Sequence, residues 1–253
     1  MRFLDVRHYV AMLLALVSVV VVAVVLFDGH SAPPPYSTPD TAREPLSAEP
    51  RARPTVLFIG DSYTAGHIGV KGSQTFARLA ADQMGWICNI DAEGGTGYLA
   101  DGRENSTDFA PYIKRLARTR SQYLADYIVV SGGRNDLEVA GFESNFATAA
   151  SRYLRALHEA FPDAKMFLLA PFWQNDNPPE ALRQERAVIE AIAANVGATF
   201  INTSTWLNPK MISGDGIHPS LGGHRELADE MVSALRSRGL EPFESGPLAA
   251  AHS

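Results

Sequence analysis

Short apolar runs alternate with longer stretches of helical periodicity between residues 55 and 236. The first run, Thr55–Gly60, is uncharged and ends in glycine, which is typical of a strand buried on both faces. Between the runs, apolar residues recur at helical spacing, as in Phe146, Tyr153 and Leu157. Strands are predicted at residues 55–60, 86–90, 127–130, 165–170 and 199–202. Helices are predicted at residues 73–84, 111–118, 146–157, 180–196 and 221–236.

This alternation of strands and helices sets the expected fold class. Strands separated by helices pair in parallel through right-handed crossovers. The pattern therefore predicts a three-layer α/β/α sandwich around a five-stranded parallel sheet. In such sheets the residues that do chemistry lie in loops at the carboxyl ends of the strands.

The N-terminal part has a different pattern, because residues 9–27 form a run of 19 residues without a charge. A helix of that length matches the hydrocarbon core of a bilayer, so the run predicts one transmembrane helix. Arg2 and Arg7 place residues 1–8 in the cytoplasm by the positive-inside rule and the rest of the chain outside. A cleaved signal peptide would give a secreted protein instead. The length of the run and Pro33, directly after the best cleavage site at Ala32, favour an uncleaved signal-anchor.

Composition divides the remainder of the chain. Seven prolines in residues 28–54 predict an extended, semi-rigid linker. The folded domain is expected over residues 55–240, and residues 241–253 are expected to form a flexible tail. With 46% apolar and 20% charged residues, the chain can bury a sizeable core.

The charge of the chain argues against nucleic-acid binding, and its cysteine content excludes an internal disulfide and a multi-cysteine metal site. The net charge is −6, and all of it falls after residue 54, where 17 basic residues face 23 acidic ones. An acidic body without a basic stripe is a poor partner for nucleic acid. Cys88 is the only cysteine of the sequence, which excludes an internal disulfide and a multi-cysteine metal site.

Polar residues that could do chemistry follow the predicted strands. Ser62 comes directly after the first strand, where its hydroxyl could project into a cleft, although a simple turn is the commoner fate of such a segment. Asn135 follows the third strand and offers a side-chain amide donor. Asp215 precedes His218 by three residues, a spacing that lets a carboxylate hold Nδ1 of the ring and leaves Nε2 as a base. Pro219 favours an extended backbone at His218, and His67 is a reserve candidate.

Together these segments resemble the SGNH hydrolase family, also called GDSL esterases and lipases, from residue 55 to about residue 238. The matching blocks, in chain order, are Gly60-Asp61-Ser62, Asn89 with Gly94, Gly133-Arg134-Asn135-Asp136 and Asp215-Gly216-Ile217-His218.

The resemblance implies a flavodoxin-like fold and a serine esterase that needs no metal or cofactor. It implies that Ser62 is the nucleophile, that His218 is the base and that Asp215 orients the imidazole. The implied oxyanion hole consists of the backbone N–H groups of Ser62 and Gly94 and the side-chain amide of Asn135. The adjacent Gly95 is the alternative to Gly94.

The expected substrate is a carboxylic ester, an O-acetyl or short acyl ester of an envelope glycan or lipid. Aromatic and glycine residues near the predicted active-site edge are candidates for substrate contact. They are Tyr63, Gly95, Tyr98, Phe172 and Trp173.

Three other functions fit parts of the same sequence. Gly95-Thr96-Gly97 with Ala100 mimics a dinucleotide-binding fingerprint, but it follows the second strand rather than the first. An acyltransferase would use the same triad, and only product analysis separates it from a hydrolase. A non-catalytic, membrane-tethered glycan-binding module would keep the fold without turnover.

Overall fold

Five strands form one parallel sheet with the order β2-β1-β3-β4-β5. The structure is a computed structural model that describes residues 53–67, 69–102 and 110–244. The strands are β1 (Thr55–Gly60), β2 (Ile87–Ala92), β3 (Tyr127–Val130), β4 (Lys165–Leu169) and β5 (Thr199–Ile201). The parallel five-stranded sheet predicted from the sequence is confirmed.

Helices cover both faces of this sheet. They are α1 (Ser62–Ala65), α2 (Phe76–Gln83), α3 (Tyr112–Gln122), α4 (Phe142–Ala160), α5 (Glu180–Asn195) and α6 (Leu221–Arg236). Successive residues of β1 point to opposite faces, so Phe58 packs in one core with α2 and α6, while Leu57 packs in the other with α4 and α5. The sheet is therefore the middle of three layers.

The structure shifts some predicted boundaries and adds short elements. The helix predicted from residue 73 begins at Phe76, because Gly72–Gln74 forms a separate 3-10 turn. The second strand runs to Ala92, because its pairing with β1 continues as far as Gly60. Two further 3-10 turns, Arg134–Glu138 and Pro209–Met211, and helix α1 are too short to show periodicity in the sequence.

The predicted membrane segment lies outside the described residues. Among the residues that are described, no helix is both long and apolar enough to span a bilayer. Residues 1–52, which include the predicted anchor at 9–27 and nearly all of the predicted linker, are not described, and neither are residues 245–253 of the predicted tail.

Candidate active site

Ser62 is the first residue of α1, directly after the sharp turn that follows β1 at the carboxyl edge of the sheet. The side chain of Asp61 caps α1 by accepting a hydrogen bond from the Tyr63 N–H at 3.0 Å. The turn requires glycine at position 60, since a β-carbon there would lie 2.2 Å from the Thr64 hydroxyl oxygen. Ser62 is therefore held in place by its neighbours on both sides, with 8% of its surface exposed.

A turn before α6 supplies the base and the acid. Its ends are joined by the Ser213 N–H, which donates to the His218 carbonyl at 2.7 Å, and by a bridge between Ile212 and Pro219. Nδ1 of His218 lies 2.8 Å from Asp215 Oδ2, and Nε2 lies 2.9 Å from the Ser62 hydroxyl oxygen. The three side chains thus form one hydrogen-bonded chain, although 156 positions separate Ser62 from His218.

The charges of this chain suit general-base catalysis. Burial would raise the pKa of Asp215, but hydrogen bonds from the Ile217 and His218 N–H groups and from Ser213 outweigh burial and hold that pKa well below its ordinary value. Burial lowers the pKa of His218, and its hydrogen bond with Asp215 opposes this only in part. At neutral pH the imidazole is therefore uncharged and can accept the serine proton, while Asp215 remains ionised.

The predicted oxyanion-hole donors are the backbone N–H groups of Ser62 and Gly94 and the side-chain amide of Asn135. Among the described residues, the backbone N–H groups of Ser62 and Gly94 have no hydrogen-bond acceptor. Gly94 lies against the serine, because a β-carbon at position 94 would be 3.8 Å from the Ser62 β-carbon. The Asn135 amide is oriented by donating to the Thr96 carbonyl at 3.0 Å, and it lies 3.4 Å from Asp61 Oδ2. These donors can stabilise negative charge on a carbonyl oxygen.

A buried arginine that was not predicted from the sequence supports residues 93–100, which follow β2, include Gly94 and are called the donor loop below. Arg115 of α3 is 3% exposed and forms ion pairs with Asp91 at 3.5 Å and Glu93 at 3.1 Å. It also donates to the Thr96 hydroxyl at 3.2 Å and lies 3.4 Å from the Gly60 carbonyl. Its signal in the sequence is a charged residue on the apolar face of a helix.

Comparison with known proteins identifies the family. Residues 58–226 match the model of the GDSL-like lipase/acylhydrolase family. The chain is also 31% identical over 203 residues to the GDSL lipase Rv0518 of Mycobacterium tuberculosis, an alignment that covers 76% of this chain and 85% of that protein. The chain belongs to the GDSL-like lipase/acylhydrolase family. This confirms the resemblance seen in the sequence, and the protein is a carboxylic ester hydrolase.

Solved structures of carbohydrate esterases share the fold of this GDSL-like hydrolase. A carbohydrate esterase family 2 enzyme of Corynascus thermopiles (Myceliophthora fergusii) is 20% identical, with a TM-score of 0.58 over 74% of this chain and 67% of that chain. Est24, a carbohydrate acetylesterase of Sinorhizobium meliloti, is 17% identical, with a TM-score of 0.52 over 74% of this chain and 100% of that chain. At these identities the likeness establishes the fold alone.

Three buried carboxyl groups lie beneath the active site of the GDSL-like hydrolase. Asp136 is 0% exposed and accepts hydrogen bonds from the N–H groups of residues 98, 99 and 100 at 2.7–3.0 Å. Burial nevertheless raises the pKa of Asp136 to about 6, and it does the same to Asp61. Glu185 of α5 is 1% exposed, and burial raises its pKa to about 9. Neither of its carboxyl oxygens has a partner among the described residues, and it packs directly on Gly133.

Three of the aromatic residues predicted to contact substrate are core residues. Tyr98 is 3% exposed and packs edge-on against Tyr112, 5.2 Å between ring centres, so little of its surface is available to a substrate. Tyr63 and Phe172 are 2% and 4% exposed and stack on each other at 5.7 Å, and the Tyr63 hydroxyl donates to the Ile217 carbonyl at 2.6 Å. Both rings belong to the apolar layer under the catalytic turn.

Trp173, Gly95 and His67 are partly exposed at the same edge of the GDSL-like hydrolase. Trp173 lies under the Arg134 guanidinium at 5.1 Å, and Gly95 has a positive φ of 73° in the donor loop. The ring of His67 stacks on that of His218 at 3.7 Å, and its Nε2 lies 3.5 Å from Asp215 Oδ2. His67 therefore contacts both His218 and Asp215.

Proposed function

We propose that this protein is a membrane-anchored serine esterase that hydrolyses O-acetyl or short acyl esters of envelope glycans or lipids outside the cell membrane. The observation that carries the catalytic part is the unbroken hydrogen-bonded chain from Asp215 through His218 to Ser62. The anchor and the location rest on the uncharged run at residues 9–27 and the arginines before it.

The geometry supports a two-step reaction through an acyl-enzyme. His218 Nε2 takes the hydroxyl proton of Ser62 as the oxygen attacks the ester carbonyl, and the carbonyl oxygen becomes negatively charged. The N–H groups of Ser62, Gly94 and Asn135 would stabilise that charge. His218 then gives the proton to the departing alcohol, which leaves an ester on Ser62. Water, deprotonated by His218, attacks this ester and releases the carboxylic acid and free Ser62.

The proposed substrate class rests on solved structures with the same fold and on the predicted membrane anchor. Solved structures with the same fold include carbohydrate esterases, one of which is described as an acetylesterase. A glycan or lipid ester of the cell envelope also fits a catalytic domain that is tethered to the outer side of a membrane. A panel of acetylated sugars and of acyl esters of increasing length would define the substrate.

The decisive experiment is hydrolysis of 4-nitrophenyl acetate by the purified full-length protein. Ser62→Ala should lower kcat/KM by at least about 10³-fold, because no other group can form the acyl-enzyme. Ser233→Ala, on the exposed side of α6, is the matched control and should leave the rate unchanged. Equal activity of the wild type and Ser62→Ala would contradict the proposal. An alcohol acceptor in the assay distinguishes hydrolysis from acyl transfer by its product.

A second experiment tests the location. After fractionation the full-length chain should remain with the membrane, and added protease should reach the catalytic domain in intact cells. Recovery of active protein from the medium would indicate instead that the N-terminal segment is cleaved.

A further inference from the structure

Arg134 is a cation at the active-site edge that forms no ion pair with any described residue. It lies between Gly133 and Asn135 at the start of a 3-10 turn, and it is partly exposed. Its guanidinium covers the ring of Trp173 at 5.1 Å. Among the described residues, no carboxylate lies within ion-pair distance of Arg134, and its covered Nε has no hydrogen-bond acceptor.

The position of Arg134 is next to the reacting groups. Asn135, its neighbour in the chain, offers one of the N–H groups of the oxyanion hole. Phe172 directly precedes Trp173 in the chain, and its ring stacks on that of Tyr63. The Tyr63 ring in turn lies 5.7 Å from the ring of His218. The positive charge of Arg134 also contributes to the lowered pKa of His218, after burial and the charge of His67.

The loop after β4 adds more polar atoms that have no partner. Trp173 Nε1 and Gln174 Oε1 are covered, and neither has a hydrogen-bond partner among the described residues. Covered polar atoms without partners are rare in folded proteins and carry a free-energy penalty. Together with Arg134 Nε, three such atoms lie on the two loops that the contact between Arg134 and Trp173 joins, and a polar ligand bound at this edge would supply the missing partners.

We infer that Arg134, lying over Trp173, binds an anionic group of the substrate, a carboxylate or a phosphate next to the ester that Ser62 attacks. The inference rests on the proposed function, and it narrows the substrate to esters of acidic glycans or acidic lipids. A planar guanidinium can donate two parallel hydrogen bonds to either anion. The ring of Trp173 lies against the guanidinium and restricts its position.

The test compares esters that differ only in charge. Full-length protein is given 3-acetoxybenzoate, the neutral 3-acetoxybenzamide and 3-acetoxyphenyl phosphate, and kcat/KM is measured for each. The wild type should prefer at least one anionic ester to the amide by about tenfold, as expected for one charge-assisted pair. The preferred anion identifies the acidic group. Arg134→Gln should reduce this ratio to about one, and Arg134→Lys should keep part of it.

A structural role of Arg134 would give a different result. If the residue only stabilised the loop, Arg134→Gln would slow all three esters equally and leave the ratio unchanged, which would overturn the inference. Arg155→Gln, which removes the same charge from the exposed face of α4, should change neither the rates nor the ratio. An equal rate of the wild type on all three esters would also overturn the inference. Absence of Ser62-dependent hydrolysis of every ester would instead refute the proposed function.

Discussion

Two carboxyl groups support the active site from opposite surroundings, and their acidities change in opposite directions. Asp215 lies on an exposed turn, its side chain 34% exposed, and its pKa is held below the ordinary value. Asp136 is 0% exposed, and its pKa is raised to about 6, although it accepts three backbone hydrogen bonds. Hydrogen bonds lower the pKa of both carboxyl groups, but at Asp136 the opposing effect of burial is larger, whereas at Asp215 the hydrogen bonds outweigh it.

This difference separates the roles of the two groups. Asp215 stays ionised at neutral pH and can stabilise the imidazolium that forms on His218 during the reaction. Asp136 connects the donor loop to the 3-10 turn that carries Asn135, because its carboxyl oxygens accept from three consecutive N–H groups of residues 98–100. In the proposed mechanism Asp215 acts through its charge, whereas Asp136 fixes residues 98–100 relative to the turn that carries Asn135.

The largest expected effect comes from removing the charge of Asp215. Asp215→Asn should lower kcat/KM for 4-nitrophenyl acetate by about 10³–10⁴-fold, because the amide cannot stabilise the imidazolium. The melting temperature should change little, since the turn is exposed. A loss of activity below tenfold would contradict the assigned role of Asp215.

Replacing the buried Glu185 with glutamine should change the pH dependence of stability rather than the rate. Its pKa of about 9 in the folded state lies above the ordinary 4.5, so the folded state holds this proton more tightly than the unfolded state. The contribution of Glu185 to stability is thus fully present below pH 4.5 and is lost as the pH rises toward 9.

The free energy of urea-induced unfolding, measured at several values between pH 5 and 8, tests this prediction. Glu185→Gln should remove the pH dependence due to Glu185. As the pH rises, the free energy of unfolding of the variant should increase relative to that of the wild type by up to about 1.4 kcal/mol for each pH unit. Parallel pH profiles of the two proteins would show that Glu185 does not carry a shifted pKa.

Breaking the connection made by Asp136 should have a smaller effect. In Asp136→Asn the amide nitrogen takes the place of Oδ2, which accepts from the Tyr98 N–H, while the remaining oxygen can still accept from the N–H groups of residues 99 and 100. We expect a loss of about 1–3 kcal/mol in the free energy of unfolding. Asp163→Asn, in the exposed turn before β4, is the matched control and should unfold like the wild type. Equal unfolding free energies of the two variants would contradict the role of Asp136 in holding residues 98–100.

The smallest effect concerns the pH dependence of the rate. Because the pKa of His218 is lowered, kcat/KM should fall as the pH drops, with a midpoint below 6.5. The charge of His67 contributes to this lowering, so His67→Gln should raise the midpoint by less than about one pH unit. A profile that stays flat well below pH 6 in the wild type would mean that His218 is not the base.

Periodicity predicted the sheet well because buried parallel strands are short and apolar. The bounds predicted for β1 and β3 agree with the structure, and so do those of α6. The ends of the other elements were less accurate, because pairing with a neighbouring strand, rather than local composition, decides where β2 ends.

Around the active site, spacing and order located the polar residues at the correct edge, but they could not show burial. Tyr98 and Trp173 are both aromatic residues in loops, yet only Trp173 is partly exposed, because helix packing covers Tyr98. Arg115 and Glu185 were not predicted as site residues, because a single charged residue among the apolar positions of a helix does not by itself show that its side chain is buried. Arg134 stood within a matching block, but its lack of an ion pair is visible only in three dimensions.

The long separation between Ser62 and His218 has a consequence for the synthesis of this protein. The nucleophile leaves the ribosome early, whereas the imidazole that activates it is made 156 positions later. A nascent chain that ends anywhere before residue 218 carries an inert serine, however well its first strands have paired. Esterase activity is thus a property of the finished domain, and its onset would report the moment when the last segments dock.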